Sequence, residues 1–411
     1  MTKREFRRLL KLGLGRAILY AHHHPIDRFY KEILDACLSD DVYDQQVDES
    51  RDPYLFEIAD LHPQRKRIYD EIVAALPKND HAWSLVVELA KRKHPKAKQA
   101  LYANFNPTPE FGPYYAIDLV AVDGLTGFRV AVKKLARLQP TDEELHSTSY
   151  FVDESRDLLG SPVIDAELKR LGKLGRLILE RVRRANLPVP PEPKLPDRYV
   201  DLAPRLISID DWRLKYWGKK ATPKELRRAA KGLLNAKTPT QRLAHLRLFL
   251  TVRFPLPVRH LLNFLPGETE EISWAIHRVL SQCKHHSLRN YALELLGSPK
   301  AGKARLNAVE LLLNNSRRGD IEIARKAFEA ERSRWFRHNF GQDIVDYCEA
   351  NPQAPGATES LLCVYENSPC TMCRRRSVEI LLDKSTLPED IRAESAYDCN
   401  ERIRQLVTQN P

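Results

Sequence analysis

The chain has 411 residues, long enough to exceed one ordinary domain and to bury a large core. Hydrophobic residues at 43% and charged residues at 29% are globular values, and no apolar run approaches the roughly 18 residues of a membrane span. The formal net charge of +11 directs attention to acidic partners.

The first segment, MTKREFRRLLKLGLGRAILYA, is basic and amphipathic, as a transit peptide or a membrane-surface helix would be. It has no small-residue cleavage pattern and runs directly into HHHPIDRFYKEIL, so an ordinary first helix is expected. His22, His23 and His24 point in different directions on a helix and make a poor ligand set. The densest polar run, SDDVYDQQVDESRDPYLFEI, offers Asp40, Asp41, Asp44, Asp48, Glu49, Arg51 and Asp52. Such acids can hold a cation or serve as acid/base groups, but the spacing is not that of an EF-hand loop. Helix caps and a solvated loop account for it. Further on, HAWSLVVELAKRKHPKAKQALYANF again carries a helical stripe.

Charge concentrates in the middle of the chain. Residues 163–260 hold 23 Lys and Arg against 9 Asp and Glu, a net +14, leaving the remainder near −3. The stretch begins with a long predicted helix whose late arginines Arg181, Arg183 and Arg184 suit a helix C-terminus. Pro188, Pro190, Pro191, Pro193 and Pro196 then forbid regular helix and predict an extended connector over 187–200. Beyond it, SIDDWRLKYWGKKATPKELRRAAKG interleaves Trp212, Tyr216 and Trp217 with Arg213, Lys215, Lys219, Lys220, Lys224, Arg227, Arg228 and Lys231. Rings among cations suit a groove that stacks bases and pairs phosphates. They also suit a linker sealed onto its neighbour with its lysines in solvent. The second reading is favoured, because tryptophan is usually buried.

From residue 222 onward helices of about 10 to 16 residues follow one another with short joints, which makes neighbours pack antiparallel. Three share a phrase: Arg289-Asn-Tyr-Ala292-Leu-Glu-Leu-Leu, Arg305-Leu-Asn-Ala308-Val-Glu-Leu-Leu and Arg374-Arg-Arg-Ser377-Val-Glu-Ile-Leu. Their small residues lie 16 and then 69 positions apart, steps of about 17, so a helical hairpin repeats about every 34 residues. The phrase's arginine flanks the apolar stripe, where it lays its stem on the core and pairs with a carboxylate or carbonyl of the next repeat.

These phrases resemble the HEAT/armadillo family of α-solenoids, whose second helix often carries an arginine, then an alanine, then a leucine. The likeness is strongest over 222–408 and degenerate over 1–186. The expected fold is therefore all-α: an α-α superhelix, a right-handed solenoid of HEAT-like hairpins. Degenerate repeats over 1–186 and HEAT-like repeats over 201–411 would flank the connector. The resemblance implies a long concave surface that binds a large partner. Some HEAT-like solenoids of similar size and basicity are DNA glycosylases that remove alkylated bases with an acid beside aromatic side chains. The nearest local match to that pattern is Asp210, Asp211 and Trp212 with Tyr216 and Trp217.

In the repeat register Cys373 replaces an apolar residue and Cys370 lies on the same side, so CTMCRRRSVEILL reads as packing and its CxxC as two buried thiols. Cys363 and Cys399 are the nearby cysteines, and neither completes a second CxxC. Cys37, Cys283 and Cys348 also fall on apolar stripes, and the odd total of seven points to a reducing, cytoplasmic setting. No phosphate-cradling glycine motif, GxSxG elbow or HExxH appears. No catalytic residue, metal or cofactor is expected. The function expected is a non-catalytic scaffold that binds a protein partner through Arg181, Arg184, Trp212, Arg213, Lys215, Trp217, Lys219, Lys220, Arg227 and Arg228. Nucleic acid is the alternative ligand.

Overall fold

The computed structural model describes residues 1–411 except 40, 42, 44–49, 109–111, 142–143, 189–193, 208–212, 266–267, 299–301 and 410–411, and except the side chains at 207 and 302–304. Among the described residues every regular element is helical and none is a strand. No described helix is long and apolar enough to cross a membrane. The chain forms two compact units: Met1–Asp41 with Ser50–Pro191, and Val42–Glu49 with Glu192–Pro411. The division falls inside the proline-rich 187–200 stretch.

In the first unit the Lys3–Leu12 helix opens with a capping box: the Thr2 side chain accepts from Glu5 N, and Glu5 accepts in return from Thr2 N. Phe6, Leu9 and Leu10 form its inner face. Gly112–Leu135 is broken by a kink at Asp123 and Gly124, where Gly124 takes a positive φ of 55°. The Lys173–Ala185 helix packs against the Leu145–Leu159 and Gly112–Leu135 helices.

An ion-paired carboxylate ties this unit together. Glu167, 6% exposed, accepts from Arg129 Nε at 2.9 Å and from Arg170 Nη2 at 2.7 Å. The two guanidiniums pull its carboxyl from 4.5 down to about 2. A carboxylate depressed on folding stabilises fully above its unfolded value and loses that contribution as pH falls through the folded one. Acid unfolding should therefore steepen between pH 4.5 and about 2. Glu167→Gln, followed by circular dichroism, is expected to be less stable at neutral pH and flatter across that window. Equal slopes for the two proteins would contradict the assignment.

The second unit is built from alternating helices. Pro239–Arg247, Glu270–Ser281, Ala308–Asn314, Arg334–Ala350, Thr371–Asp383 and Glu401–Gln409 each pack on the next of the series. Their starts lie 26 to 38 residues apart, the length of a helical hairpin. Between them, Asp320–Ala330 packs on Ala357–Asn367. Most of the apolar stripe sits where the shared phrase places it: Leu288, Ala292, Ala308, Leu311, Leu312, Ser377 and Leu381 are completely buried, while Leu295, Leu296 and Ile380 are half-buried. The Arg305 phrase differs from expectation in one respect. Arg305 lies in a 3-10 segment, Gly302–Asn307, and the α-helix begins only at Ala308.

The phrase's arginines reach the following hairpin. Arg289 Nε and Nη2 donate to the two oxygens of Asp320, each at 2.7 Å. Arg305 Nη1 lies 3.5 Å from Glu331 Oε2, and Arg374 Nη2 donates to Asp398 Oδ1 at 2.8 Å. Asp320 and Asp398 are buried, so each guanidinium neutralises a carboxylate that could not remain charged there alone.

Candidate functional site

The basic segment of the second unit folds as two short helices. Leu214–Lys220 turns Leu214, Trp217 and Gly218 inward, an i, i+3, i+4 set, and leaves Lys219 and Lys220 exposed. Thr222 caps the Pro223–Leu234 helix by accepting from Glu225 N at 3.3 Å, with proline at the first helical position. Ala229, Ala230 and Leu233 face its core side. The opposite side carries Lys224, Arg227, Arg228 and Lys231, spaced i, i+3, i+4, i+7, so all four cations line one exposed stripe about 10 Å long.

Charge on this stripe is mostly uncompensated. Arg228 Nη1 donates to Glu225 Oε1 at 2.6 Å, while Lys224, Arg227 and Lys231 form no ion pair with the described residues. The backbone N–H of Tyr199 also donates to Glu225, at 2.7 Å, and with Arg228 it holds the Glu225 carboxyl below its ordinary value. Burial raises the Tyr199 hydroxyl and lowers His245, whose Nε2 lies 2.8 Å from that hydroxyl. Gly232 permits this closure, because a Cβ there would lie 1.7 Å from the Tyr199 oxygen. The base beneath the stripe is thus a fixed polar joint.

The ten residues expected to form one contact surface separate into different roles. Trp217 is corrected from contact residue to core: it is 5% exposed, and its Nε1 donates to Pro196 O at 2.8 Å, sealing the later part of the 187–200 stretch onto the second unit. Arg181 is likewise spent internally. In the first unit its guanidinium donates to Leu135 O at 2.8 Å, Ala136 O at 3.4 Å and Leu138 O at 2.6 Å. Those carbonyls lie where Gly112–Leu135 ends, and Leu135 O also accepts from Leu138 N at 3.0 Å. Arg184 is exposed in the first unit, and Arg213 and Lys215 are half-buried in the second. Lys219, Lys220, Arg227 and Arg228 are exposed. Trp212 lies outside the described residues, as do Asp210 and Asp211. Among the described residues of the segment Tyr216 is the exposed ring, 42% accessible, with Lys215 Nζ and Lys219 Nζ 5.0 and 5.8 Å from its centroid.

Of the other polar groups singled out, Asp41 pairs with Lys11 at 3.6 Å, Arg51 donates to Leu10 O, and Asp52 N donates to Ser50 Oγ at 3.2 Å. Asp40, Asp44, Asp48 and Glu49 lie outside the described residues. His22, His23 and His24 are exposed. His285 caps the His286–Gly297 helix by accepting from Ser287 N.

All seven cysteines are buried and unbridged. Cys283 Sγ and Cys348 Sγ donate to the carbonyls of Val279 and Ala357, at 3.6 and 3.8 Å, as fillers should. Cys370 and Cys373 are buried too, but they do not stand alone. His338, on the Arg334–Ala350 helix, places its Nδ1 3.7 Å from Cys373 Sγ. His338 and Cys373 are 35 residues apart, about one hairpin, which is the signal a search for a second CxxC passes over. No protein-family model, curated protein or solved structure matches the chain.

Proposed function

We propose that the chain is a non-catalytic scaffold of HEAT-like stacked hairpins that docks an acidic segment of a protein partner on the stripe of Lys224, Arg227, Arg228 and Lys231. The observation that carries this reading is the stripe itself, four cations on one exposed helix face with a single carboxylate among them. Helices that pack on the next of their series, and arginines that reach the following hairpin, support the HEAT-like reading. Seven buried, unbridged thiols suit a reducing compartment such as the cytoplasm. Protein is favoured over nucleic acid because Trp217 is turned into the core, where it offers no base a face to stack on. Tyr216, exposed between two lysines, is what favours nucleic acid as the second reading.

Fluorescence anisotropy with a polyglutamate peptide and with single-stranded and duplex oligonucleotides separates the two. The peptide should bind, and Arg227→Glu/Lys231→Glu should weaken it roughly 10-fold or more, with the effect shrinking as salt rises. Unchanged peptide binding in that variant would refute the stripe. Preference for single-stranded oligonucleotide, lost in Tyr216→Ala, would install the nucleic-acid reading instead.

A further inference from the structure

We propose that His338, Cys370 and Cys373 form a three-ligand site for a zinc-class divalent ion that clasps the Arg334–Ala350 helix to the start of the Thr371–Asp383 helix. The donor atoms of these side chains all lie within 4.8 Å of one another, and they are the group of this kind found among the described residues. Bonds of about 2.3 Å to sulfur and 2.0 Å to nitrogen set tetrahedral ligand atoms roughly 3.5 to 3.8 Å apart. The 3.7 Å between Cys373 Sγ and His338 Nδ1 already matches that edge. The remaining separations close with shifts of about 1 Å or less.

The surroundings favour the ion's chemistry. Two thiolates cancel the charge of a divalent cation, so a loaded site carries no net charge where Cys370 and Cys373 are only 2% and 4% exposed. Cys370 is the N-cap of a 13-residue helix and Cys373 lies in its first turn, so both sulfurs sit at the positive end of the helix dipole. Cys370 N donates to Ser368 Oγ at 3.2 Å, which fixes the approach to the first sulfur. The third ligand arrives from a different helix, its imidazole stacked on Tyr43 with centroids 4.6 Å apart. His338 is half-buried, so solvent reaches the site from that side and water completes the tetrahedron. The set of two cysteines and one histidine is soft enough to exclude magnesium and calcium, which prefer oxygen.

The test uses the full chain, purified under reductant and titrated with Co2+. One ion per chain should bind, with thiolate-to-cobalt charge-transfer bands and the intense visible bands of a tetrahedral site, and Zn2+ should displace it. Thermal unfolding should shift upward with Zn2+ and back down with a chelator. His338→Gln and Cys373→Ser should each weaken binding by more than the roughly 10- to 100-fold that loss of an outer-sphere partner costs. Cys348→Ala, which removes a buried thiol elsewhere, should leave it intact. The half-buried His338 makes its variant the safer one to fold, and the wild-type titration stands alone. No binding to the reduced wild type, unchanged affinity in His338→Gln, or recovery of Cys370 and Cys373 only as a disulfide would overturn the proposal.

Discussion

Replacing Arg374 with methionine is expected to destabilise the second unit by about 3–5 kcal/mol, the cost of removing one member of a buried ion pair. Arg374 and Asp398 are both completely buried, and the guanidinium reaches Asp398 Oδ1 at 2.8 Å and Cys399 Sγ at 3.4 Å. Burial works against the charge on Arg374, yet the neighbouring Asp398, Cys399 and Tyr365 outweigh it and hold the guanidinium above its ordinary value. Without it, Asp398 keeps the 2.9 Å bond from Asn400 N and the Cys399 thiol, both neutral donors, to offset its desolvation. The damage should therefore come from the stranded carboxylate more than from a lost attraction. Arg374→Met/Asp398→Asn, which leaves a neutral acceptor for Asn400, should recover over half of the loss. Urea denaturation of the wild type, both single variants and the double variant decides this. A single-variant cost below about 1 kcal/mol, the range of exposed pairs, would show that the pair is not the lock described.

That lock was partly legible in the sequence. The shared phrase located Arg289, Arg305 and Arg374 beside an apolar stripe and called for a carboxylate or carbonyl further along the chain, and the carboxylates of Asp320, Glu331 and Asp398 answer it. The pattern of helical stripes carried most of the second unit, because helices packed on their neighbours bury residues at regular local spacing. Arg181 could have been read the same way. It follows Ile178 by three and precedes Ala185 by four, on the buried face, where a guanidinium must spend its donors internally. Composition lacks register. The favoured reading of the rings among cations, a linker sealed onto its neighbour, describes Trp217, but composition could not separate Leu214, Trp217 and Gly218 on one face from Tyr216 on another. His338 stayed hidden for a different reason: its partners are adjacent only after one full hairpin has folded, so no local motif contains them.

Trp217 supplies the sharper test of that register. Trp217→Ala should cost about 3–5 kcal/mol, because it empties a site packed within the core that includes Leu202, Leu206 and Leu214. It also strands the Pro196 carbonyl that the indole N–H satisfies. Trp217→Phe separates the two effects, since it restores most of the volume and omits the donor. Its cost should approach about 1 kcal/mol plus a residual for the smaller ring. Tyr216→Ala, one residue away but exposed, should stay within about 0.5 kcal/mol of the wild type. Hydrogen exchange should show where the damage falls. Protection of Tyr199–Leu202, which is held by Glu225 and packed beside Trp217, should collapse in Trp217→Ala and persist in Tyr216→Ala. If Tyr216→Ala proved the more damaging substitution, the inward face of the Leu214–Lys220 helix would be wrong. The aromatic surface for nucleic acid would then have to be reinstated in place of the sealed joint.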